Sequence, residues 1–190
     1  MRTFIAIELP EEIKDSLKTL QDKLKESKAD VKWVQPQNIH ITLKFLGEIE
    51  ERKLEKIIQI MEESVKDKGE FQVGLSSLGA FPKITSARII WIGITRGDAG
   101  IKEIAKTLEK KLEKTGIPAE GRAFSSHITI GRVRSGLNRD TLAKNLNQFQ
   151  DAFQEKELKL LVSKITLFKS TLTPKGPVYE ALKEINLKTT

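Results

Sequence analysis

The 190-residue chain has only two histidines, and both stand in the same four-residue phrase. His40-Ile41-Thr42-Leu43 sits within NIHITLKFLG, and His127-Ile128-Thr129-Ile130 opens HITIGRV. A β-strand sends alternate side chains to opposite faces. His40 and Thr42 then share one face, with Ile41 and Leu43 on the other, and His127 and Thr129 repeat the arrangement. Each phrase has an apolar anchor side and a polar working side. Imidazoles with an unperturbed pKa of about 6.5 can hold opposite protonation states near neutral pH. One can take a proton from a nucleophile while the other gives one to a leaving group. In-line displacement at phosphorus needs those tasks on opposite sides of the phosphorus. The hydroxyls of Thr42 and Thr129 would donate to non-bridging phosphate oxygens, and Arg132 would add a charged fork. Strict alternation puts Arg132 opposite His127, but Gly131 could admit a bulge that turns it back.

One His-x-Thr phrase alone would be an ordinary half-exposed strand. Two copies use every histidine in the chain and keep the same apolar framing. A metal site would need carboxylates to complete the ligand set, and no His-Glu-x-x-His spacing is present. Glu48, beside Glu50 and Glu51, reads as a solvated helix start. No Gly-x-Ser-x-Gly elbow marks a serine nucleophile, and nothing distinguishes Ser125 or Ser126. The absence of Cys excludes disulfides, thiolate nucleophiles and iron–sulfur ligation. No metal and no cofactor are expected.

The elements that must position the phrases occur twice in similar order. RTFIAIEL reads as a strand, and Ile13, Leu17, Leu20 and Leu24 recur at helical spacing after Pro10. VKWV is a short strand and IHITLKFL the next, ended by Gly47. Leu54, Ile57, Ile58, Met61 and Val65 mark a second helix, and FQVGLSSLGAF a strand before the Pro82–Ser86 loop. RIIWIGIT then restarts the series. Ile101, Ile104, Leu108 and Leu112 form a helix stripe stopped by Gly116. HITIGRV follows, then a shorter helical stretch from Arg139 to Phe149. ELKLLVSKITLF reads as one long strand, and VYEALKEINL as the last. The pattern is a duplicated α+β unit, 1–86 and 87–190, forming two lobes of one body.

A formal charge of +7 favours polyanionic partners. The opening MRTFIAIELPEEIKD meets acid too early for a secretory signal, and no segment has the apolar length of a membrane span. A cytoplasmic monomer without membrane contact is expected. Phe45, Phe81, Trp91 and Phe124 are candidates for stacking on a base, although alternation places Phe45 on the Ile41–Leu43 side. Lys44 shares the His40 face in that reading, where it would meet solvent or RNA phosphates.

The paired phrases resemble the two-histidine (2H) phosphoesterase superfamily. More narrowly, RTFIAIELP, HITLKFLGE, GAFP with ARIIWIG, FSSHITIGRV and YEAL resemble the RNA 2′,3′-cyclic phosphodiesterase family, also called the 2′-5′ RNA ligase family. Ser126 departs from the Pro often found before the second His. The resemblance implies a bilobal α+β fold, with two antiparallel sheets flanking a central groove and helices outside. It implies metal-independent hydrolysis of RNA-terminal 2′,3′-cyclic phosphate, as on tRNA fragments, to a 2′-phosphate. By position, His40 is the proton donor, His127 the proton acceptor, and Thr42, Thr129 and Arg132 the phosphate-binding residues. Two alternatives stay open: joining such ends to 5′-hydroxyl RNA, and a non-catalytic module that only binds RNA ends.

Overall fold

The apolar stripes become helices with those stripes buried. In this computed structural model, which describes residues 1–189, α1 (Glu11–Lys25) buries Ile13, Leu17, Leu20 and Leu24. Helix α2 (Leu54–Val65) buries Ile57, Met61 and Val65, and α3 (Asp98–Glu113) buries Ile101, Ile104, Leu108 and Leu112. Each such side chain contributes roughly 1.5–3 kcal/mol by leaving water. The fourth helix, α4 (Arg139–Glu155), has 17 residues and does not stop at Phe149 as the sequence suggests. Phe149 and Phe153, one turn apart, both pack on the core and carry the helix onward.

The strands are β1 (Arg2–Glu8), β2 (Val31–Trp33), β3 (His40–Glu48), β4 (Phe71–Phe81), β5 (Ile89–Arg96), β6 (His127–Val133), β7 (Leu158–Val162), β8 (Lys164–Thr173) and β9 (Gly176–Asn186). They form two sheets, ordered β3-β1-β8-β9 and β2-β6-β5-β4-β7. Neighbouring strands in both are antiparallel. Each sheet takes strands from both halves of the chain. Strand β4 joins the sheet of β5 and β6, while β8 and β9 join the sheet of β1 and β3. The halves therefore exchange strands, and a single apolar core runs through both sheets and all four helices.

ELKLLVSKITLF is not the single strand expected from its composition. It divides at Ser163, with β7 pairing β4 and β8 pairing β1. The Ser163 carbonyl accepts the Leu187 N–H at 2.8 Å, which pins the crossing point. Beyond it, Ile165, Thr166, Leu167 and Phe168 are all buried, so β8 is covered on both faces. One cover is the main core. The other is a smaller cluster of Phe4, Ala6 and Phe168, with Tyr179 against it. Among the described residues, no helix is long and apolar enough to cross a membrane.

Candidate active site

Strands β3 and β6 meet where the two sheets adjoin, so both His-x-Thr phrases border one groove. Ile41, Leu43, Ile128 and Ile130 are buried anchors, while His40, Thr42, His127 and Thr129 are half-buried on the other side. Alternation alone accounts for that much.

The two imidazoles are oriented alike. His40 Nδ1 donates to the Asn38 carbonyl at 2.7 Å, and His127 Nδ1 donates to the Ser125 carbonyl at 2.8 Å. A carbonyl can only accept, so each Nδ1 carries a proton and each Nε2 is the atom left for chemistry. His40 Nε2 lies 2.9 Å from Thr42 Oγ1. Asn38 is itself fixed, its side-chain amide donating to the Pro177 carbonyl at 2.8 Å. Burial pushes the His40 pKa below the usual imidazole value, against a smaller opposing effect of the Asn38 hydrogen bond. Its neutral form is favoured in the free protein, with Nε2 accepting from the Thr42 hydroxyl.

Bulges complete the groove, and they reverse two expectations. Between the pairs Ala6↔Thr42 and Ile5↔Lys44, Leu43 has no partner on β1. The extra residue resets the alternation. Lys44 therefore leaves the His40 face and is 1% exposed. Its Nζ meets Glu109 Oε2 at 2.8 Å and the Pro118 carbonyl at 2.9 Å. Phe45, expected on the Ile41–Leu43 side, is instead 56% exposed and stands 6.2 Å from Phe4, on the groove side.

Strand β6 repeats the device. Ile130 falls between the pairs Trp91↔Thr129 and Ile90↔Gly131 and is unmatched on β5. The bulge turns Arg132 away from the face that strict alternation assigns it, and the side chain is exposed. Gln21 of α1, 1% exposed, donates its amide to the carbonyls of Ile130 and Val34 at 2.9 and 2.8 Å. The irregular backbone is thus held from the core side.

Tyr179 of β9 packs beside His40 within the same sheet. Its ring meets His40 edge-on at 5.5 Å and Phe4 at 4.8 Å. Burial raises its pKa, while the nearby charges of Arg132 and Arg2 oppose that rise. Tyr179 is the chain's only Tyr, and its place beside His40 follows from β9 crossing into the β3 sheet. On the other wall, Phe81 meets His127 edge-on at 5.4 Å and Trp91 at 5.2 Å. Trp91 lies across Gly79 and Gly93, where any Cβ would collide with the indole. Phe124, by contrast, is half-buried and packs against the main core. Among the described residues, no group of three or more His, Cys, Asp or Glu side chains gathers into a possible metal site.

An α+β body of exchanged halves, with one His-x-Thr strand from each half at a shared groove, is the architecture of a two-histidine phosphoesterase. The chain belongs to the LigT-like phosphoesterase family, whose model matches it twice, over residues 7–91 and 92–179. It is 38% identical over 185 residues to the RNA 2′,3′-cyclic phosphodiesterase of Methanocaldococcus jannaschii, covering 97% of this chain and 99% of that protein. It is 32% identical over 187 residues to the protein of the same name from Methanothermobacter thermautotrophicus, covering 98% and 99%. Among solved structures, a Thermus thermophilus protein superposes with a TM-score of 0.78 at 26% identity, covering 98% of each chain. Escherichia coli LigT complexed with 3′-AMP superposes at 0.75 and 24% identity, covering 98% of this chain and 97% of that one, a likeness of fold.

Proposed function

We propose that this chain hydrolyses RNA-terminal 2′,3′-cyclic phosphate to a 2′-phosphate with a pair of histidines and no metal. The observation that carries this reading is the matched orientation of the imidazoles. In each, Nδ1 is engaged by the carbonyl two residues before it, which leaves Nε2 for chemistry.

His127 Nε2 takes a proton from water as the water oxygen bonds to phosphorus. The P–O3′ bond breaks opposite, and His40 Nε2–H gives its proton to O3′. The products are a 2′-phosphate and a 3′-hydroxyl. Thr42, Thr129 and Arg132 hold the non-bridging oxygens, whose charge grows in the transition state. Proton loading of His40 also changes Thr42. A neutral Nε2 accepts from the Thr42 hydroxyl, whereas a protonated Nε2 donates, which frees that hydroxyl for phosphate. The bound phosphodiester anion favours the protonated form.

The direct experiment supplies an RNA oligonucleotide ending in 2′,3′-cyclic phosphate, with chelator present. A 2′-phosphate product is expected at undiminished rate. A 3′-phosphate product, loss of turnover with chelator, or binding without turnover would each overturn the reading.

The same site has a distinctive pH dependence. The acid must be protonated, so activity falls as pH rises through its pKa. Burial lowers that pKa in the free protein, and the substrate anion raises it in the complex. The basic limb of kcat/KM, which reports the free enzyme, is therefore expected at lower pH than the basic limb of kcat. Coincident limbs would show that His40 is not the acid.

A further inference from the structure

A cleft of about 540 Å³ opens beside His40, between the β8–β9 hairpin and residues 35–39, and no β6 residue lines it. That is large enough for a nucleotide, since ligand sites usually run from about 300 to 1,000 Å³. The direction of the reaction says which part of the substrate reaches it. With water on the His127 side, O3′ departs toward His40, so the terminal ribose and everything 5′ of it lie on the His40 side of the phosphorus.

The lining suits a phosphodiester. Lys14 of α1 and Lys175 of the hairpin turn both border the cleft. Among the described residues, Lys14 is engaged only by Glu11, an exposed carboxylate 3.1 Å away, and such surface pairs cost little to open. Among the described residues, the one acidic side chain lining it is Glu8. Its carboxylate is occupied by Lys164 and the Thr166 hydroxyl, each at 3.2 Å. Gln35 and Gln37 add exposed amides at the rim, and Tyr179 supplies a ring wall next to His40.

We infer that this cleft is a subsite for the terminal nucleoside and its 5′-phosphodiester, with Lys14 and Lys175 binding the phosphodiester. It rests on the cyclic phosphodiesterase reading and gives it a substrate class: oligonucleotides in preference to cyclic mononucleotides. A nucleoside 2′,3′-cyclic phosphate lacks the 5′-phosphodiester and leaves both lysines unused.

The test compares that mononucleotide with a dinucleotide ending in 2′,3′-cyclic phosphate, in the wild type and in the Lys14→Ala/Lys175→Ala double variant. The wild type is expected to favour the dinucleotide by about tenfold or more in kcat/KM, the scale of one or two phosphate contacts. In the double variant this ratio should collapse toward one, and in the wild type it should shrink as salt is added. Equal wild-type rates on the two substrates, or a ratio unaltered in the variant, would overturn the subsite while leaving the hydrolase reading intact. Turnover of neither substrate would remove both.

Discussion

Replacing His127 with Ala is expected to lower kcat on a 2′,3′-cyclic phosphate end by about 10²–10⁴-fold, the usual contribution of a positioned acid or base. His40→Ala should fall in the same range. Neither ring belongs to the main apolar core. His127 touches Phe81 edge-on, and His40 touches Phe4 and Tyr179. Circular dichroism and the melting temperature should therefore change little for His127→Ala and modestly for His40→Ala. Residues that act as a unit are not additive. The double variant should accordingly lose little beyond the worse single variant. Single-turnover rates on one oligonucleotide would decide the matter. If either single variant keeps kcat within about tenfold of wild type, the general acid–base range is not reached and the paired mechanism fails.

The largest expected effect on stability comes from Lys44. Its ammonium is buried against Glu109 and the Pro118 carbonyl, with Glu120 Oε1 3.9 Å away. Glu109 and Glu120 are also joined, the Glu120 N–H donating to Glu109 Oε1 at 2.6 Å. Lys44 thus fastens α3 and the segment before β6 to the back of the His40 strand. Removing one partner from a buried ion pair costs about 3–5 kcal/mol. Glu109 is 31% exposed in its side chain and can rehydrate, so Lys44→Met should cost about 3 kcal/mol, the low end of that range. For a chain of this length, that corresponds to a melting temperature lower by roughly 6–12 °C. The sequence allowed a different role, a lysine on the His40 face meeting RNA phosphate. That role predicts the opposite pair of results: normal stability with a raised KM for RNA and a smaller salt slope. Thermal melts and kinetics measured well below the transition separate the two.

Sequence and structure divide along physical lines. Periodicity located the helices, because a buried stripe needs residues three and four apart. The burial of Ile13, Leu17, Leu20 and Leu24 follows from it. The period of two placed His40 with Thr42 and His127 with Thr129, because each pair lies within one uninterrupted stretch of strand. The resemblance of the paired phrases pointed to the family that the comparisons show.

The same period failed one residue past each phrase. A bulge at Leu43 sent Lys44 inward and Phe45 outward, and one at Ile130 turned Arg132 off the face that strict alternation assigns it. Gly131 left that second outcome open in the sequence without deciding it. Where a bulge falls depends on the partner strand's register and on distant donors such as the Gln21 amide. No local propensity records either. The split of ELKLLVSKITLF at Ser163 has the same origin, since β4 and β1 compete for adjacent segments of one apolar run. Only that crossing brings β9, and with it Tyr179, against His40. The sequence determined which residues could do the chemistry and which face of each strand they share. The tertiary structure decided what surrounds them, because bulges and strand exchange are set by long-range pairing energies.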